Sequence, residues 1–115
     1  IDEEIAGRAI ESLRSRLEKL VRLQAALLGR ATRLVRPGGT LIYCTCSLEP
    51  EEGEAQIARL LAERSDFTRA PVTAGAIGGL NEAITRDGDV RTLPSQLSEQ
   101  GGLDGFFIAR LTRKN

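Results

Sequence analysis

The chain has no histidine and no methionine, and its only cysteines are Cys44 and Cys46. A closed structural zinc site needs about four cysteine or histidine ligands, so none is expected within this chain. One spacer residue within a strand puts two sulfurs on one face, about 6 to 7 Å apart along it. That spacing suits neither an easy disulfide nor a dithiol redox pair, which has two residues between its cysteines. With nothing else to pair them, a reducing, cytoplasmic setting is expected. Aromatic residues are few: Tyr43, Phe67, Phe106 and Phe107. A stacking platform for single-stranded bases would carry more. Net charge is also missing, since 16 basic residues balance 16 acidic ones. This excludes a purely electrostatic RNA-binding module but leaves room for an enzyme with a local basic patch. There is no secretory signal, and no apolar run approaches the ~18 residues of a membrane span. The length, 115 residues, suits one domain and not two. The chain begins at Ile1 without any methionine, which leaves open a removed initiator or a piece of a longer protein.

What is present reads as an α/β pattern. Residues 3 to 35 form one long predicted helix. Ile10, Leu13, Leu17, Leu20, Val21, Leu27, Leu28, Ala31, Leu34 and Val35 recur at three- and four-residue steps. Asp2, Glu3 and Glu4 suit its positive end, and Arg30, Arg33 and Arg36 its negative end. Pro37, Gly38 and Gly39 stop it. Thr40 to Cys46 is a short uncharged run rich in β-formers, as expected of a strand covered on both faces in a parallel sheet. Pro50, followed by Glu51, Glu52 and Glu54, begins a second helix ending near Ser65. Phe67–Val72 and Asp89–Leu93 are candidate short strands. Residues 73 to 88 read as a loop, with one helical turn at Leu80–Ile84. Gly101-Gly102 opens a final strand, Leu103–Leu111, and Thr112–Asn115 form a polar tail. The two late strands are expected to pair antiparallel at a sheet edge.

The cysteine pair admits two readings. Free cysteine packs like a small apolar residue and is among the most buried types, which suits Cys44. Cys46 lies at the carboxyl end of a predicted parallel strand, where open α/β sheets place ligands and chemistry. A helix start nearby favours a thiolate there, and the glutamates at 49, 51, 52 and 54 oppose it.

The stretch "LVRPGGTLIYCTCSLEPEEGEAQI" resembles the sixth motif region of the Sun/Fmu (NSUN-like) family of RNA cytosine carbon-5 methyltransferases. In that family Lys/Arg-Pro-Gly-Gly, an apolar strand, Thr-Cys-Ser and an acidic helix start follow a helix like "LVRLQAALLGRATRLVRPGG". The segment "RTLPSQLSEQGGLDGFFIARLTRKN" resembles the family's terminal Asp-Gly-Phe-Phe region, with Asp104, Phe106 and Phe107 at the matching positions. Pro-Gly-Gly alone is common to many methyltransferases; Thr-Cys-Ser with Asp-Gly-Phe-Phe at this distance is more specific. Glu52-Gly53-Glu54 stands where the family often has Glu-Asn-Glu, and Cys44 where it often has a small residue.

The resemblance implies the C-terminal portion of a Rossmann-like class I methyltransferase sheet: long helix, parallel strand, helix, then antiparallel edge strands. Residues 1–115 would be the C-terminal fragment of an S-adenosylmethionine-dependent methyltransferase domain whose cofactor-binding half is absent. It makes Cys46 the catalytic nucleophile and places no cofactor-binding and no metal residue in the chain. The substrate implied is a ribosomal or transfer RNA. The fragment alone is expected to be inactive, to leave S-adenosyl-L-methionine unbound, and to self-associate through an exposed sheet edge or its first helix. The alternative from another class is a non-catalytic α/β interaction domain with both cysteines buried.

Overall fold

The first helix, α1 (Glu3–Leu34), begins with Glu3 and Glu4 and carries Arg33 in its last turn, each charge set matching the helix dipole. The structure, a computed structural model, describes residues 3–96 and 105–115. After Pro37 the Gly38 and Gly39 turn leads directly into a ladder. Gly38 N–H donates to the Arg113 carbonyl at 2.8 Å, and Arg113 N–H donates back to the Gly39 carbonyl at 2.9 Å. Strand β1 (Thr40–Thr45) continues that ladder.

Pro50 does begin helical structure, but in two pieces. A 3-10 turn (Pro50–Glu52) breaks at Gly53, and α2 runs over Glu54–Glu63. The remaining strands are β2 (Phe67–Arg69), β3 (Val90–Thr92) and β4 (Phe106–Arg113). Between β2 and β3 lie two 3-10 turns, Ala74–Ile77 and Asn81–Ala83, where the sequence suggested a loop with one helical turn.

β4 is the hub. It pairs antiparallel with β1 from Thr40↔Thr112 to Thr45↔Phe107. On its other edge it pairs antiparallel with β2, from Phe67↔Arg113 to Arg69↔Leu111, and with β3, from Val90↔Ile108 to Thr92↔Phe106. Three expectations change here. The two late strands do pair antiparallel, but β4 is central rather than at an edge. β1 has no parallel neighbour among the described residues; its one ladder is antiparallel, and its side chains alternate between exposed and half-buried instead of being covered on both faces. The polar tail is part of the hub strand as far as Arg113. Its guanidinium explains why: Nη1 donates to the Val35 carbonyl, and Nε to Asp66 Oδ2 at 3.1 Å. Leu103 and Asp104, the expected start of this strand, lie outside the described residues.

The core sits between the helices and one face of the sheet. Phe107, Ala109 and Leu111 alternate inward from β4 and meet Leu28, Ile57, Leu60 and Phe67, flanked by Val35, Leu41, Tyr43 and Leu61. The two-residue period of a strand supplies half of this cluster and the helical faces the rest. Buried polar groups are paired across elements. Thr32 Oγ1 donates to the Gly29 carbonyl and accepts from Arg64 Nη1, and Gln56 Nε2 donates to the Val21 carbonyl at 2.9 Å.

The apolar positions of α1 divide into two faces. Leu17, Val21, Leu28 and Ala31 turn inward, as does Val35 just past the helix, while Ile10, Leu13, Leu20, Leu27 and Leu34 remain exposed, Leu34 to 86%. β1 adds Ile42, 60% exposed, along an outer edge that no described strand pairs. An open ladder edge beside an apolar helix face favours association. Self-association of the purified chain is therefore expected, and light scattering at rising concentration measures it. A monomer throughout the range would overturn it. No helix among the described residues is long and apolar enough to cross a membrane.

Candidate active site

Cys46 stands one residue beyond the last ladder position of β1, on an exposed turn that leads to the 3-10 start of α2. The sequence placed it inside the strand; the structure places it on the rim just past it. Cys44 is exposed too, which corrects its expected place in the core and removes the buried-cysteine premise of the interaction-domain alternative. It borders a shallow groove between α1 and β1 with Gln24, Leu27, Leu28 and Ala31.

The turn carrying Cys46 is fixed from both sides. Locally, Ser47 N–H donates to Thr45 Oγ1 at 3.2 Å, and Glu49 N–H donates to Ser47 Oγ at 3.0 Å. These are the short side-chain-to-backbone bonds by which serine and threonine stabilise turns. At long range the turn rests on the start of β4. A Cβ at Gly105 would collide with the Leu48 side chain, so Gly105 is what lets Leu48 seat there. The Thr-Cys-Ser and Gly-Phe-Phe segments, about sixty positions apart, are thus packed against each other.

Behind the turn lies Phe107, fully buried. A Cβ at Gly53 would approach its ring to 2.9 Å and Arg91 Nη2 to 2.8 Å, which accounts for the glycine where the 3-10 turn gives way to α2. Tyr43 meets Phe107 edge-on, with ring centroids 6.5 Å apart. Its hydroxyl donates to the Glu52 carbonyl at 2.5 Å. Burial, and then the Glu52 carboxylate, push the Tyr43 phenol above its ordinary pKa, so it is a neutral donor at physiological pH.

Arg91 closes the arrangement from β3. Nη1 donates to the Ser47 carbonyl at 2.6 Å, while Nε and Nη2 donate to the two Glu54 carboxylate oxygens. The guanidinium carbon lies 5.1 Å from the centroid of Phe107. Of the acidic cluster after Cys46, Glu54 is therefore neutralised by an ion pair and Glu52 is folded inward. Sequence reasoning placed Cys46 and the two phenylalanines but missed Arg91, Tyr43 and the role of Gly53. Arg91 lies 44 positions from Ser47, and no local pattern distinguishes it from other arginines.

Comparison with known proteins shows the family. The profile of the 16S rRNA methyltransferase RsmB/F family matches residues 8–112. The chain belongs to the RsmB/F family. Among curated members, it is 40% identical over 94 residues to the probable ribosomal RNA small subunit methyltransferase B of Synechocystis, covering 82% of this chain and 20% of that protein. It is 34% identical over 96 residues to the ribosomal RNA small subunit methyltransferase F of an Escherichia coli strain, covering 84% and 19%. In structure it superimposes on a methyltransferase homolog protein from Pyrococcus horikoshii with a TM-score of 0.65 and 28% identity, over 86% of this chain and 32% of that one. The chain thus spans about a fifth of the length of its curated RsmB/F relatives. The fold is a portion of a Rossmann-like methyltransferase domain, as the resemblance implied.

Proposed function

We propose that this chain is the C-terminal part of the catalytic domain of an RNA cytosine carbon-5 methyltransferase, with Cys46 as the nucleophile. The observation that carries the reading is the placement of Cys46: exposed, at the rim of the sheet, on a turn braced by β3, β4 and the start of α2. Family membership supports the reaction class. The substrate, in keeping with the curated relatives, is small-subunit ribosomal RNA.

Carbon 5 of cytosine is a poor nucleophile. A bond from the Cys46 thiolate to carbon 6 moves the ring's electron pair toward carbon 5, which then takes a methyl group. Removal of the carbon-5 proton by a base re-forms the double bond and expels the thiolate. This is covalent catalysis, in which a temporary bond divides one difficult step into easier ones. The cytosine must be turned out of any stack to reach an exposed rim. S-adenosylmethionine supplies the methyl group in the complete enzyme. The Gly38 and Gly39 turn is not a cradle for it. That turn is filled by its own chain, since a Cβ at Gly38 would meet Asn115 Oδ1 at 2.8 Å and one at Gly39 the Arg36 carbonyl at 2.9 Å. The chemistry assigned to this chain is the thiolate's alone, and by itself the chain is expected neither to hold the cofactor nor to methylate RNA.

The reading is tested by trapping. RNA carrying 5-fluorocytosine lacks the proton that must leave, so the complete enzyme should accumulate a covalent complex that survives denaturing electrophoresis. Cys44→Ala should still form it and Cys46→Ala should not. A complex persisting in Cys46→Ala would remove Cys46 as the nucleophile.

A further inference from the structure

We propose that Arg91 is a positioning residue for the nucleophile: it holds the Cys46 turn in register with the sheet. The inference rests on reading Cys46 as the nucleophile, and its own content is the guanidinium. Three of its nitrogens are used on two partners, and its plane meets a third, each in a different part of the Cys46 surround. Nη1 holds the carbonyl of Ser47, the residue after Cys46. Nε and Nη2 grip the carboxylate at the first position of α2. The plane lies over Phe107, on the hub strand. The Arg91 side chain is only 12% exposed, while its Glu54 partner reaches solvent at 42%.

The chemistry selects arginine. A planar fork with several fixed donors can serve a carbonyl and both oxygens of a carboxylate while stacking on a ring; a lysine ammonium is a single point charge and cannot do all of these at once. β3 contributes few residues to the fold, and Arg91 is its central one, paired with Phe107 in the ladder. Backbone pairing therefore fixes the base of the side chain. The Ser47 carbonyl follows from that base, and the Cys46 sulfur follows from Ser47. Attack on carbon 6 demands a near-attack geometry, and displacement of the sulfur by about 1 Å is enough to cost a hundredfold in rate.

The experiment uses the complete enzyme with RNA substrate and separates kcat from KM. Arg91→Ala should lower kcat about 100-fold, with KM for RNA and for S-adenosylmethionine within about twofold of wild type. Arg91→Lys retains the charge and most of the packing, so it should fold even if Arg91→Ala does not; it should still lose about tenfold in kcat because the fork is gone. Formation of the 5-fluorocytosine complex should slow in proportion in both variants. Wild-type kcat in a folded Arg91→Lys enzyme would overturn the proposal, as would a loss confined to KM. Failure of the underlying reading gives a different result: Cys46→Ala would then keep its activity whatever Arg91 does.

Discussion

Replacing Cys46 by alanine in the complete enzyme is expected to reduce methyl transfer by on the order of 10⁴-fold or more. On the proposed mechanism the sulfur overcomes the poor nucleophilicity of carbon 5, and alanine offers no group that can add to carbon 6. Losses of this size, roughly 10⁴ to 10⁶, are seen when the nucleophile of a covalent enzyme is removed. Cys46→Ser should be nearly as deficient, because a hydroxyl is scarcely ionised at neutral pH. Cys44→Ala should remain within a few-fold of wild type: the residue is exposed on β1, two positions before Cys46 and off the braced turn. Transfer of labelled methyl groups to RNA, measured in single turnover, reports the chemical step directly. Equal losses in Cys44→Ala and Cys46→Ala would mean that the strand end as a whole is disturbed, and the assignment to one sulfur would fail.

Phe107→Ala should cost about 3–5 kcal/mol of folding stability, the usual range for removing a phenylalanine from a packed core. Whole domains are stable by about 5–15 kcal/mol, so this is a large fraction. The ring is fully buried, packs with Ile57 and Leu111, and lies under the Arg91 guanidinium and against Tyr43. The neighbouring residue supplies a sharp control. Phe106 is 41% exposed, since successive side chains on β4 point to opposite faces. Phe106→Ala should therefore cost under about 1 kcal/mol. Urea denaturation of the two variants beside wild type gives the comparison. Similar losses at both positions would contradict the register that turns Phe107 inward.

The contrast between these phenylalanines shows what the chain discloses before folding. Period and punctuation were legible: α1 ends at Leu34, shortly before Pro37 and two glycines, and β1 ends where Thr-Cys-Ser turns toward Pro50. Cys46 was legible for the same reason, as a residue at the end of an apolar run before an acidic helix start. Pairing was not. Nothing local in Phe106–Arg113 says that it touches three other strands, because that depends on contacts across tens of residues. The polar Thr112 and Arg113 read as a tail, yet the Val35 carbonyl and the Asp66 carboxylate give Arg113 a reason to stay in the strand. Arg64, first by its hydrogen bonds, and Arg113 hold Asp66 down at a pKa of about 2, so that carboxylate remains charged through mild acid. The need for glycine at position 53 was equally hidden, since it comes from a ring 54 positions away. The two faces of α1 were concealed by composition, because leucines that turn inward and leucines that turn outward look alike.

The hub position of β4 bears on how this domain is made. Of the four strands it is the last to leave the ribosome, and β1, β2 and β3 have no described ladder with one another. Until Phe106–Arg113 emerges, β1, β2 and β3 lack the strand that joins them to one another. High contact order of this kind slows folding and lengthens exposure of unpaired backbone. Vectorial synthesis therefore leaves the joining of β1, β2 and β3, and with it the bracing of the Cys46 turn, until Phe106–Arg113 has emerged.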